Sequence, residues 1–312
     1  MGDAVKNDGA INLRIVLTVS LISIAYLLLS ILIVGFKTDQ LVLIMIFNTL
    51  FYASAITRKF ILGFSIFIVY WILFDYMKAI PNYTVSPVHI ASLYNTEKSL
   101  FGIHFNGALL TPNEYWRTHS KTYLDIIAGL FYICWIPVPL AFAAFLFFKD
   151  RRQFLGFAMT FFLVNILGFI MYYAYPAAPP WYVQHHGFIF HANTPGNTGG
   201  LARFDHYFNI QLFASIYQKG SNVFAAMPSL HSAYPVIVIY YGVKNRLGLI
   251  NIVLFTVMAG IWLTAIYTSH HYVLDVLAGI LTAILGVTLF NWVAANSSFF
   301  GRFLKSYQRL IQ

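Results

Sequence analysis

Ser269-His270-His271-Tyr272-Val273-Leu274-Asp275 lies between two long apolar runs, Leu247–Ser269 and His271–Ala295. Ionisable residues are costly in such a setting and mark function when they occur. If the second run is helical, His271 and Asp275 stand one turn apart on the same face. A carboxylate there can accept the imidazole N–H, fix its tautomer and stabilise its cation. That arrangement prepares a histidine as nucleophile or base. The competing reading is a buried structural ion pair. A second histidine with chemical promise stands in Ala226-Met227-Pro228-Ser229-Leu230-His231-Ser232. Pro228 and Ser229 suit a helix start, whose free N–H groups and positive dipole end attract phosphate. A capping Ser229 beside an interfacial His231 is the plainer alternative.

The rest of the chain reads as a scaffold in a bilayer. Of 312 residues, 59% are hydrophobic and 9% charged, with mean hydropathy +0.71. Soluble domains carry roughly 25% charged residues. The apolar runs are long and do not alternate, so the expected fold is an all-α polytopic membrane protein. Eight segments can be drawn: Leu13–Phe36, Leu41–Thr57, Phe60–Ile80, Tyr123–Phe148, Phe154–Tyr175, Ser229–Val243, Leu247–Ser269 and His271–Ala295. The first is too long for a signal-peptide core and is expected to remain as an anchor. Cys134 is the single cysteine, which excludes an intrachain disulfide and a cysteine metal site.

Orientation follows from the basic residues. With the N-terminus in the cytoplasm, twelve of the 19 Lys and Arg fall inside, mostly in short connections such as Arg58-Lys59 and Arg151-Arg152. The net charge of +9 therefore needs no nucleic acid. All ten histidines then fall on the other face, which points to a polar site at the periplasmic or luminal side, with both termini cytoplasmic. Pro81–Thr122 is expected to form short interfacial helices, with a cap of no chemical role as the alternative. Pro176–Met227 is too long for a simple connector and reads as a lid or binding loop. Asp75 and Asp125 sit near segment ends, where pairing with Lys78 and Lys121 is expected. The expected divisions are 1–122, N-terminal helices and interfacial loop; 123–296, catalytic core; and 297–312, a basic cytoplasmic tail. A metal held by His231, His271 and Asp275 is possible in ligand type. The phosphate reading explains the three residues without one, so neither metal nor organic cofactor is expected.

Four blocks carry a family resemblance: Tyr175-Pro-Ala-Ala-Pro-Pro-Trp-Tyr182, Gly200-Leu-Ala-Arg-Phe-Asp205, Phe224-Ala-Ala-Met-Pro-Ser-Leu-His-Ser232 and Tyr267-Thr-Ser-His-His-Tyr-Val-Leu-Asp275. Together they resemble the PAP2 phosphatase/phosphotransferase superfamily, and within it the fungal inositol phosphorylceramide synthase family, the target of aureobasidin A. The sequence departs from general PAP2 phosphatases. The Pro-rich block replaces a Lys-x6-Arg-Pro block, and Thr264-Ala265 replaces a Ser-Arg pair. The usual phosphate-clamping cations are missing, which favours the synthase branch. The resemblance implies a PAP2-type helical core. It implies phosphatidylinositol as donor, ceramide as acceptor, and transfer through a phosphohistidine. In that scheme His271 is the nucleophile, Asp275 its orienting group and His231 the acid–base catalyst. Arg203 is the best replacement clamp and Lys219 a weaker one, because a guanidinium can bond two phosphate oxygens. Ser229, Trp181, Asp205 and His270 complete the expected substrate- and phosphate-binding set. Two rivals stand beside this reading: a lipid phosphate phosphatase with water as acceptor, and a non-enzymatic transporter or lipid-binding scaffold.

Overall fold

The structure is a computed structural model that describes residues 11–218, 220 and 222–312. Lys219, one expected phosphate ligand, lies outside the described residues. The chain divides into two compact units, one holding the first three helices with Arg302–Gln312, the other Ile80–Gly301.

The first unit is built from α1 (Leu13–Val34), α2 (Thr38–Ala53) and α3 (Ala55–Tyr76). Ser54 separates α2 from α3 and caps α3, its hydroxyl accepting the Thr57 N–H. Val19, Phe51 and Ile61 form the core between them. The expected pairing of Asp75 with Lys78 is present at 2.8 Å, with Lys37 adding a second contact at 3.3 Å.

The second unit continues with α4 (Ala91–Phe101), a hairpin of β1 (Ile103–Phe105) and β2 (Ala108–Leu110), α5 (Pro112–Thr118), α6 (Thr122–Ile133), α7 (Pro137–Lys149) and α8 (Arg151–Ala174). Asn106 and Gly107 both adopt positive φ, which suits the tight turn joining two antiparallel strands. Then come α9 (Pro180–His186), α10 (Ala202–Phe208), α11 (Leu212–Gln218), α12 (Leu230–Lys244), α13 (Ile250–Tyr267) and α14 (Val273–Asn296); α15 (Ser298–Ile311) starts here, and its residues from Arg302 on belong to the first unit. The bundle forms around α12, which packs against α8, α13 and α14. The start of α12, the end of α13 and the start of α14 meet at one end of that bundle. The α12–α14 crossing is close because position 279 lacks a side chain: a Cβ on Gly279 would collide with the Ser229 carbonyl.

All eight apolar segments of the sequence are helical, but they differ in reach. Among the described residues, six helical stretches are long and apolar enough to cross a bilayer: α1, Ala55–Ala79, Thr122–Lys149, α8, α13 and α14. The remaining two, α2 and α12, have 16 and 15 residues. The fourth segment is also interrupted. Pro137 opens α7, and its missing N–H breaks the ladder from Ile133. The break at 134–136 turns Trp135 toward the centre of the unit, where its ring meets His231 at 4.2 Å between centroids.

Candidate active site

Ser229 starts the site. Its hydroxyl accepts the Ser232 N–H, fixing the first turn of α12 and placing His231 there. Ser229 is fully buried, and its own N–H donates to the Asp275 carbonyl at 2.9 Å. One residue thus ties the start of α12 to the start of α14. On α14, Tyr272 is the N-cap, and the Asp275 carboxylate reaches back to accept the Tyr272 N–H at 2.8 Å.

This ladder brings the two sequence-predicted histidines together. His271 Nε2 lies 3.1 Å from His231 Nδ1. His271 Nδ1 lies 2.9 Å from the Ala226 carbonyl oxygen and 3.6 Å from Asp275 Oδ2. A carbonyl can only accept, so Nδ1 carries the hydrogen and the neutral ring keeps its lone pair on Nε2. The shared proton between the rings therefore belongs to His231 Nδ1. Sequence reasoning gave the whole orienting task to Asp275; the shorter bond is to Ala226. Asp275 is entirely buried, and its Oδ1 has no protein partner among the described residues.

The Ala226 carbonyl is itself held by the Pro-rich block. The Ala226 N–H donates to the Ala177 carbonyl, and the Ala177 N–H to the Phe224 carbonyl. His89 and Pro176 extend the pairing, with the His89 N–H donating to the Pro176 carbonyl at 2.8 Å. The block Tyr175–Tyr182 thus shapes the backbone that positions the His271 ring.

The other expected ligands are placed less uniformly. Arg203 lies beside the segment that carries His271, but its Nε donates to Asp125 Oδ1 at 2.6 Å. Asp125 also accepts the Tyr267 hydroxyl at 2.7 Å, so its partner is Arg203 rather than the expected Lys121. Arg203 Nη2 is buried without a protein partner among the described residues, which leaves one guanidinium edge unspent. Asp205 is a loop staple: its carboxylate accepts the N–H groups of Phe213 and Ala214 at the start of α11. Trp181 is packed in a core with Ile90, Ala178, Tyr182 and Phe224, and its backbone N–H donates to the Ser269 carbonyl. His270 lies in the wall of the histidine cluster, buried between the rings of Tyr132 and Tyr217. His186 and His191 meet Tyr182 instead, and His185 lies against Trp181 and His186.

Several residues of the site carried no signal in the sequence. Tyr132 Oη lies 3.3 Å from His231 Nδ1 and accepts from the Tyr217 hydroxyl, also at 3.3 Å. Asn113 Nδ2 donates to the carbonyls of Ile266 and His271, clamping the stretch between α13 and α14. Glu97, on α4, is fully buried and accepts the Val273 and Leu274 N–H groups at 2.9 and 3.1 Å. It caps α14 from another segment. Burial pushes its carboxyl up to about 7 against the two N–H bonds, and the charge of nearby Asp275 adds to the rise. Asn113 and Glu97 both come from Pro81–Thr122, a stretch whose mixed composition fitted a passive cap equally well.

The family model of the PAP2 superfamily matches residues 93–289. Over 298 residues the chain is 45% identical to the phosphoinositol dihydroceramide synthase of Bacteroides thetaiotaomicron, covering 95% of this chain and 98% of that protein. It is 28% identical over 257 residues to the inositol phosphorylceramide synthase of Candida albicans, covering 81% of this chain and 52% of that protein. It is also 28% identical over 210 residues to the catalytic subunit of inositol phosphorylceramide synthase from Saccharomyces cerevisiae, covering 66% and 49%. The chain spans about half the length of these fungal relatives. No solved structure matches the chain.

Proposed function

The chain belongs to the PAP2 superfamily, and on that premise we propose that it transfers phosphoinositol from phosphatidylinositol to a ceramide-type acceptor. The products are an inositol phosphorylceramide and diacylglycerol. The observation that carries the mechanism is the 3.1 Å approach of His271 Nε2 to His231 Nδ1. One ring presents a lone pair and the other a proton, the two things a phosphoryl transfer between alcohols requires.

In the first step the donor phosphorus enters between the two rings. His271 Nε2 forms a bond to phosphorus while the bond from phosphorus to the diacylglycerol oxygen breaks. His231 Nδ1 gives its proton to that leaving oxygen. In the second step His231 takes the proton of the acceptor hydroxyl, whose oxygen attacks phosphorus and releases His271. The Ala226 carbonyl and Asp275 hold His271 Nδ1–H and support the positive ring of the phosphohistidine. The free Nη2 edge of Arg203 and the amides at the start of α12 offset charge on the phosphoryl oxygens. Trp135, Tyr132 and Tyr217 surround the pair with rings, limiting water that would hydrolyse the intermediate.

The catalytic core is residues 123–296, between the N-terminal helices and interfacial loop of 1–122 and the basic tail of 297–312. We read all eight apolar helices as membrane-crossing, with the histidine pair at the periplasmic or luminal side and both chain ends cytoplasmic, from the distribution of Lys and Arg. The partners are then two lipids and the bilayer.

The test is a lipid assay on purified protein with labelled phosphatidylinositol and ceramide, wild type beside His271→Ala. A labelled sphingolipid made by wild type alone is the expected result. Free phosphate from phosphatidic acid, with no head-group transfer, would replace this reading by that of a lipid phosphatase.

A further inference from the structure

His270 precedes the proposed nucleophile, and its protonation state can be worked out from its neighbours. The Thr268 hydroxyl donates its one hydrogen to the Thr264 carbonyl at 2.7 Å. Thr268 Oγ1 also lies 2.9 Å from His270 Nδ1, so in that contact the oxygen accepts and Nδ1 carries the hydrogen. The neutral ring then holds a bare lone pair on Nε2. That atom is buried and has no protein partner among the described residues, in a residue only 5% exposed. Buried acceptors are almost always satisfied in proteins, so an unspent one beside a reaction centre points to a ligand.

Two aromatic rings and a glycine surround the imidazole, and one of those rings joins it to the histidine pair. Tyr217 and Tyr132 flank the ring at 4.6 and 5.3 Å, and Tyr132 also contacts His231. Gly199 faces the imidazole, and a Cβ there would come within 3.2 Å of His270 Cε1, the atom next to Nε2. Burial, reinforced by neighbouring His271, holds the imidazole down to about 3, so it stays neutral through the physiological range.

We propose that His270 Nε2 accepts a hydrogen bond from a substrate hydroxyl and thereby selects hydroxyl-bearing substrates beside the His231–His271 pair. This rests on the transferase reading and narrows the expected substrate- and phosphate-binding role of His270 to a hydroxyl. A bare lone pair repels a phosphoryl oxygen, so His270 is not a phosphate ligand. Two hydroxyls in the proposed reaction have the required chemistry, one on the polyol head group and one on the acceptor lipid.

The experiment compares wild type, His270→Phe and His270→Gln by KM for each lipid and by diacylglycerol release without ceramide. Phenylalanine keeps a ring and removes the acceptor. Glutamine returns an oxygen near the position of Nε2. His270→Phe is expected to lose about 10- to 100-fold in transfer kcat/KM, the range for an unmet polar contact, with most of it recovered in His270→Gln. A head-group hydroxyl raises the phosphatidylinositol KM and erodes the preference over phosphatidylcholine. An acceptor hydroxyl raises the ceramide KM and spares diacylglycerol release. Unchanged KM values in a folded His270→Phe, or equal kcat losses in both variants with KM untouched, would overturn the proposal. If His270→Phe fails to fold, Thr268→Val serves in its place. It frees the imidazole tautomer and is expected to raise the same KM, and no change would overturn the assignment. Binding of short-chain phosphatidylinositol and ceramide to wild type and His270→Phe separates the two levels of failure. Wild type that binds but transfers nothing defeats the transferase reading alone; equal binding of both lipids by both proteins defeats the His270 assignment alone.

Discussion

His271 Nε2 and His231 Nδ1 lie 3.1 Å apart, although forty residues of chain separate them. The contact exists because Ser229 bonds the Asp275 backbone and no side chain at Gly279 keeps α12 from α14. Chemistry and packing are therefore coupled here, and each can be tested separately.

His271→Ala is expected to reduce transfer to background, since it removes the lone pair that faces His231 Nδ1. His231→Ala removes the proton donor and is expected to slow transfer by about 10²–10⁴-fold. Added imidazole or a more acidic leaving group should restore part of the His231→Ala rate and none of the His271→Ala rate. Turnover measured with both donor types checks this, and equal rescue of the two variants would contradict the assigned roles.

Asp275→Asn keeps an oxygen to cap the Tyr272 N–H, and the Ala226 carbonyl still holds His271 Nδ1. The expected result is a folded protein that is slower by about 10²-fold, because charge support for the cationic ring is lost while its orientation remains. A melting curve close to wild type beside that rate loss is the signature to look for.

Glu97 makes stability depend on pH with a defined sign. Its folded-state value lies at about 7, above its ordinary value of 4.5. The folded protein holds this proton more tightly than the unfolded chain does. Its stabilising contribution is present below about 4.5 and is lost as pH rises through about 7. Glu97→Gln is expected to flatten stability between pH 5 and 8 and to remove any inflection of the rate near 7. Thermal unfolding across that range checks it; an unchanged slope would falsify the assignment.

Arg203→Ala strands the buried Asp125 carboxylate, which Arg203 bonds at 2.6 Å. Breaking such a pair from one side costs about 3–5 kcal/mol. The double variant Arg203→Ala/Asp125→Ala is expected to regain most of that stability while transfer stays low, because the free guanidinium edge is gone. Recovery of both properties together would make Arg203 purely structural.

Gly279→Ala introduces a methyl group where the Ser229 carbonyl sits. α12 and α14 must separate, at a typical overpacking cost of about 1–3 kcal/mol, and the two histidines separate with them. The expected outcome is lower stability with a loss of transfer larger than the stability change alone predicts. Unfolding and rate measurements on the same preparation test it.

The sequence by itself determined the helical membrane class, the two histidine-bearing segments and the pairing of His271 with Asp275. Those follow from hydropathy and from spacing along one helix, which are local properties. It also marked Lys78 as the partner of Asp75, three residues away. Only the tertiary structure decided the rest. It gave the closer hold on His271 to a backbone carbonyl, that of Ala226, which no side-chain pattern can announce. It paired Asp125 with Arg203 across 78 positions rather than with nearby Lys121, and it turned Asp205 into a loop staple. It drew Glu97, Asn113, Tyr132 and Trp135 to the site from segments that had read as cap or as membrane helix. The physical reason is common to all of these. Buried polar groups must find partners, and which partner lies within hydrogen-bond reach depends on how distant helices cross.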